Sequence, residues 1–454
     1  MESAQTPLET FANANSFDVD HKTGFMPSQV PLECLPSTWE LWESLLDEAI
    51  HEKLRPGDQI GLSEEDAARS GRWRKRVREA PTLSSIDLNA PPLLRRAHLV
   101  LTFLLHFYVQ SLPPTAEIRI PKSISIPVLR VSKTLDMPPV ATFADTVLYN
   151  WNLSTLASSS SSNVTDPATL TLDTLRSQTL FTSLPSEQHF YLSSALIELR
   201  GVEALSIMRT TFDEIFVGDS LASSRITLWL DRLEVVIREL RELLLSVRDG
   251  CDPDVYWNDV RPWFRGEDSD TAVEGKPRRW VFEGLEDPEN EDLERPKELS
   301  GASAGQSSLV HALDCFLGVE NVRTGADGKP SFMSRMQVYM PRPHRLFLDH
   351  LAKTERPLRK FVMESEDEGL REAFNRAVMA LKEFRDAHMI IITLYIIGPA
   401  RRERERRRLE QEEVGKKERE EKEKQLKGTG GTDLVKFLKT TREQTRQTVV
   451  EPAM

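Results

Sequence analysis

The chain has 454 residues, a length that suits two to three domains at about 150 residues each. Asp and Glu number 71 against 59 Lys and Arg, a formal charge of −12, which lacks the basic footprint of a nucleic-acid binder. Three cysteines (Cys34, Cys251, Cys315) without CxxC spacing exclude a disulfide framework and a thiolate zinc site, and they suit a reducing cytoplasm.

In chain order, residues 1–30 are polar and read as a loosely held arm. No basic start leads into an apolar run, so a secretory signal is not expected. The longest apolar stretches, 98–112 and 389–397, are too short to span a bilayer, and no membrane partner is expected. The sequons at Asn152 and Asn163 therefore carry little weight. Residues 36–108 are mostly helical in pattern, with Trp39, Trp42, Leu45, Leu46 and Ala49 at helical spacing and Ser37 or Thr38 as the expected N-cap. Residues 95–110 read as a buried helix closed by Pro113 and Pro114. The alternating Ile and Ser of 121–127 read as an extended loop, and 143–151 as a short apolar helix. The serine run from Ser158 cannot build a core, and a domain boundary is expected near residue 160.

Beyond that boundary, 187–216 and 224–249 carry long helical periodicity. The acidic segment 266–297 reads as an exposed loop, and 307–318 as a helix ended by Gly318. The cleanest helix is 367–397, with a stripe through Leu370, Phe374, Leu381, Phe384, His388 and Ile391, and Gly398-Pro399 is expected to stop it. Residues 401–427 are almost all Arg, Glu and Lys, a solvated helix or a disordered insert. A short amphipathic helix follows at 433–439. Strand signal is sparse, and the fold class is all-α: a small helical domain over 1–160 and a large one over 161–454.

Few residues stand out chemically. His388 lies on an apolar stripe, either as a satisfied core histidine or as a metal ligand. No second histidine stands at i+4, so any metal it binds would be held as the single axial histidine of a haem is held. Arg385 faces nearly the same way and needs an anion, either a haem propionate or a carboxylate such as Asp314. The stretch GASAGQS (301–307) reads as a loop capped by Ser307, or as backbone that admits a bulky flat ligand. Gly428–Thr432 lacks the order of a phosphate-binding loop and follows no strand. No nucleophile motif is present.

Five segments in order nevertheless resemble the indoleamine 2,3-dioxygenase family: PVLRVSKTLDMPPVATFADTVLYNW (127–151), SGASAGQSS (300–308), YMPRPHRLFLDHL (339–351), LREAFNRAVMALKEFRDAHMIIITLYIIGPA (370–400) and KGTGGTDLVKFLK (427–439). The resemblance implies two helical domains with haem b between them, ferrous when active. It implies insertion of O2 across the indole C2=C3 bond of L-tryptophan or a related indoleamine, giving N-formylkynurenine, the first step of the kynurenine route that leads toward NAD. By the same resemblance His388 is the iron ligand, with Arg385 and its carboxylate partner Asp314 behind it and Ser303 beside the haem. Ser194 and Phe190 match the distal serine and aromatic. Phe143, Val147, Tyr256, Arg261 and Ala304 match substrate-pocket positions, Arg261 as the partner of the substrate carboxylate, and Thr429 matches a glycine-rich loop that closes over substrate. An electron donor that reduces the haem, a monomeric state and a cytoplasmic setting are likewise implied. Tyr256, Phe143 and Ala302 depart from the family pattern. Ala302 and Tyr256 leave open a haem-binding or signalling scaffold with weak turnover as the alternative.

Overall fold

The computed structural model describes residues 17–154, 170–269, 278–319, 332–354, 357–413 and 434–451. Helices dominate. The N-terminal part is built on Glu40–His51, Glu64–Glu79 and Pro91–Gln110. The last of these starts on two prolines and is buried from Leu94 onward apart from Arg95, because nearly every position is apolar. Its buried polar groups are all partnered: Arg96 pairs with Glu43, His98 with Asp145, and His106 with the Trp263 carbonyl. Such groups are tolerated in a core only when bonded.

The second part is organised on Glu368–Ile392, which packs along Ala222–Leu245. Leu230, Leu233, Ile237 and Leu240 meet the stripe of Leu370, Phe374, Ala377 and Leu381 in one core cluster. Each fully buried large side chain there contributes about 1.5–3 kcal/mol. A second cluster joins Trp42, Phe103 and Phe107 of the first part to Trp263, Tyr256, Ile391 and Tyr395 of the second. Two short two-stranded sheets fasten the loops: Ile118–Ile120 pairs parallel with Trp280–Phe282, and Trp151–Leu153 antiparallel with Leu175–Ser177. No helix among the described residues is long and apolar enough to cross a membrane.

Several sequence expectations need correction. Residues 121–127 are not an extended loop but the start of the helix Lys122–Leu135. The alternation of Ile and Ser hid an i, i+4 face of Ile124, Val128 and Ser132, and Ser123 and Ser125 donate to the Val77 and Glu283 carbonyls of neighbouring segments. Gly398-Pro399 does not stop the long helix. A π turn, Thr393–Ile397, widens it before the proline, and the helix continues as Gly398–Glu413. The wider turn closes with Gly398 N–H donating to the Thr393 carbonyl five residues back, just before Pro399, which has no N–H to give. Segment 266–297 is not all exposed, since Trp280 and Phe282 are buried in their strand. Neither Ser37 nor Thr38 caps the Glu40–His51 helix, whose N-cap is Trp39 without a side-chain bond. The periodic stretch 187–216 is two helices broken at Gly201, where a Cβ would sit 2.2 Å from Leu309. The apolar segment at 143 is a single π turn, Ala144–Leu148, leading into a strand. The expected helix ended by Gly318 is present as Ser308–Leu317, with Ser307 capping it and Gly318 left-handed at its end.

Candidate functional site

Six segments converge on a largely apolar cavity of about 220 Å³. The helix Pro185–Arg200 contributes Phe190, Ser194 and, one turn further along the same face, Glu198. The π turn contributes Thr146 and Val147, with Phe143 just before it. The small-residue loop contributes Ala302, Ser303 and Ala304, and the second π turn, Tyr256–Val260, contributes Tyr256. The long helix contributes Phe384, Arg385, His388 and Ile391, with Leu438 and Thr441 of the C-terminal helix Leu434–Arg446 beside them.

The walls are held by buried hydrogen bonds. Asp145 accepts from Thr142 N–H at 2.8 Å and from the Thr142 hydroxyl at 2.7 Å, reaching back three residues as the acidic member of a capping box does. The same carboxylate binds His98 Nδ1 at 2.7 Å. Ala141 N–H donates to His106 Nε2 at 3.1 Å. Gln306 ties two walls together: its Oε1 accepts from Phe143 N–H at 2.8 Å and its Nε2 donates to the Gly301 carbonyl at 3.0 Å. The small-residue loop does require close backbone approach, and part of that approach is to the protein itself. A Cβ on Gly301 would stand 1.6 Å from the Phe264 carbonyl oxygen.

His388 lines the cavity at the end of the long helix. Burial, with a smaller contribution from Arg385, lowers its pKa to about 4. The imidazole is therefore neutral at pH 7, the form that ligates a metal. Neither ring nitrogen has a hydrogen-bond partner among the described residues, and no group of three or more metal-ligating side chains occurs among them. A lone neutral imidazole, an apolar slot and a rim of small residues fit a haem. Two buried polar atoms of wall residues, Ser193 Oγ and Glu198 Oε2, also lack partners among the described residues.

Arg385 meets the carboxylate alternative: it is ion-paired to Asp314 and also donates to Thr445 Oγ1. Asp314 is fully buried behind the wall. Tyr256 packs edge-on against Tyr395 at 5.6 Å and tilted against Phe190 at 4.8 Å. Arg261 is not on the cavity wall. Its guanidinium lies over the Trp257 ring at 4.7 Å, and Trp257 Nε1 donates to Glu403 at 3.1 Å. Burial lowers the Arg261 pKa to about 10, so it stays cationic. Ser194 Oγ donates to the Phe190 carbonyl at 3.2 Å. Thr429 lies outside the described residues. The sequence reading missed Glu198, Gln306 and Glu403. Only the first left a signal, its i+4 spacing from Ser194 and i+8 spacing from Phe190.

The family model described as indoleamine 2,3-dioxygenase matches residues 13–448. The chain is 27% identical to indoleamine 2,3-dioxygenase 1 of Rattus norvegicus over 437 residues, covering 96% of this chain and 95% of the relative. It is 30% identical to indoleamine 2,3-dioxygenase acdA of Aspergillus candidus, with coverage of 95% and 96%. It is 29% identical to indoleamine 2,3-dioxygenase of Saccharomyces cerevisiae, with coverage of 93% and 90%. With the helical architecture and the single-histidine cavity, a match over nearly the whole length settles the matter: the chain belongs to the indoleamine 2,3-dioxygenase family.

Proposed function

We propose that this protein is a haem-dependent dioxygenase that opens the indole ring of L-tryptophan at C2=C3 to give N-formylkynurenine. The observation that carries this reading is His388: a neutral imidazole without a hydrogen-bond partner among the described residues, on the wall of an apolar cavity, in a chain of this family. His388 would hold the iron, and the Ala302–Ser303–Ala304 stretch would flank the ring edge. Haem b, once bound, supplies the ferrous iron that activates dioxygen.

The chain's own groups bind and orient. Phe190, Tyr256 and Val147 offer the apolar and aromatic surface an indole needs, and they keep water out. Arg261 is the cation for the substrate carboxylate, a charge-assisted bond that its guanidinium makes by turning from Trp257 toward the cavity. The Ser194 hydroxyl stands on the wall as a donor that tunes the site, and no base is required there. Thr429 belongs to a segment proposed to close over substrate. The walls draw on both sides of the proposed boundary near residue 160, with Phe143 and Val147 from one side and the remaining groups from the other.

His388→Ala is the direct test. The expected protein folds, lacks the histidine-ligated ferrous Soret spectrum and forms no N-formylkynurenine. A normal spectrum with undiminished product would overturn the reading. The position of Arg261 over Trp257, off the wall, favours one second reading: a haem-binding scaffold with weak turnover. Steady-state turnover of L-tryptophan under reducing conditions separates the two.

A further inference from the structure

The cavity wall carries one polar side chain whose bonding is half finished. Glu198 is 2% exposed. Its Oε1 accepts from the Ser307 hydroxyl at 2.6 Å, and Ser307 is itself fixed as the N-cap of Ser308–Leu317. Its Oε2 is buried without a partner among the described residues, on a side chain that lines the cavity. A buried carboxyl in this position costs free energy unless something in the cavity answers it.

The other titratable groups on the wall do not change charge near neutrality. Burial raises Tyr191, Tyr256 and Tyr395, and lowers His388 to about 4. Arg385 is ion-paired to Asp314. Behind the 301–308 turn, burial also lowers His311, and brings His344 to about 3. At the outer end of the Glu198 helix, Arg200 pairs with Glu203 and Glu239 at the surface. Burial, partly offset by the Ser307 bond, raises Glu198 to about 7, and no charged side chain is among the influences on it. The acid form is therefore accessible near neutral pH. With Ser307 donating to Oε1, the acid proton belongs on Oε2, the oxygen left without a partner among the described residues.

We propose that Glu198, in its acid form, is an anchor for a carboxylate of the cavity's occupant, donating from Oε2 while Ser307 holds Oε1. This rests on the haem reading above. A carboxylate reaches this cavity from two sources, the cofactor's propionate or the amino-acid substrate, and either would take the bond. Once ionised, Glu198 would instead repel it.

The experiment follows haemin binding to the haem-free chain by Soret titration at pH 6, 7 and 8, for the wild type and Glu198→Gln, with haemin dimethyl ester as the probe lacking carboxylates. In parallel, L-tryptophan binding to the haem-loaded ferric protein is followed by Soret perturbation, with tryptamine as control. Glutamine keeps a donor and cannot ionise. Ionisation of Glu198 as pH rises removes the donor, so wild-type affinity for the carboxylate-bearing probe should fall severalfold between pH 6 and pH 8 relative to the variant. Any pH dependence of iron ligation is common to both proteins and cancels. If the fall appears with haemin and not its ester, the anchored group is the cofactor's propionate. If it appears with L-tryptophan and not tryptamine, the group is the substrate's carboxylate. Identical pH profiles for wild type and variant with both ligands would overturn the proposal while leaving the haem reading intact. A wild-type chain with no Soret band would overturn the haem reading, and this proposal with it.

Discussion

Asp314→Ala should destabilise the protein by about 3 kcal/mol. Asp314 is 0% and Arg385 8% exposed, so the guanidinium loses its carboxylate in a setting largely shielded from bulk water. Removing one member of a buried ion pair costs about 3–5 kcal/mol, because the other charge is stranded. The lower end applies here, since Arg385 keeps its bond to the Thr445 hydroxyl, which in turn donates to the Thr441 carbonyl at 2.9 Å. Asp314→Asn retains shape and an acceptor and should lose less. The double variant Asp314→Leu, Arg385→Met removes both charges and should recover most of the loss. Urea denaturation of the haem-free chain, followed by far-ultraviolet circular dichroism at pH 7, measures all four proteins. A loss below about 1 kcal/mol for Asp314→Ala, or a double variant no better than the single one, would refute the stranded-charge argument.

Arg261→Ala should lower kcat/KM for L-tryptophan by roughly ten- to hundredfold or more with haem content unchanged, the worth of a charge-assisted bond in a dry pocket; near-normal kcat/KM would remove Arg261 from the site. Deleting residues 404–424 should leave the Soret spectrum unaltered, because Arg402 and Glu403, which bind Asp254 and Trp257, are retained; haem loss on deletion would show that the run packs against the core. Burial alone would lower the His98 pKa, but the Asp145 carboxylate and its hydrogen bond prevail and raise it above 6.5. A raised histidine stabilises the fold fully below its unfolded pKa and ceases to do so as pH rises through the folded one. The stability gap between the wild type and His98→Asn should therefore be widest below about pH 6.5 and narrow above it, and a gap independent of pH would contradict a protonated His98.

Local chemistry wrote much of this protein into its sequence. The helix at Pro91–Gln110, the stripe of Glu368–Ile392 and the Ser307 and Gly318 caps follow from periodicity and backbone preference, which act within a few residues. His388 stood out for the same reason, as a polar ring on an apolar stripe. The helix hidden in 121–127 and the π turn that carries the chain past Pro399 did not, because both depend on neighbours: carbonyls from Val77 and Glu283 in one case, and the packing of Tyr395 against Tyr256 in the other. The pairing of Arg385 with Asp314 likewise became visible only when the fold set the two side by side, 71 residues apart in the chain. Glu198 shows the division most clearly. Its helical spacing placed it on the face of Ser194, but whether it is an ordinary surface carboxylate or a buried acid was decided by Ser307, 109 residues further on, and by the desolvation that tertiary burial imposes.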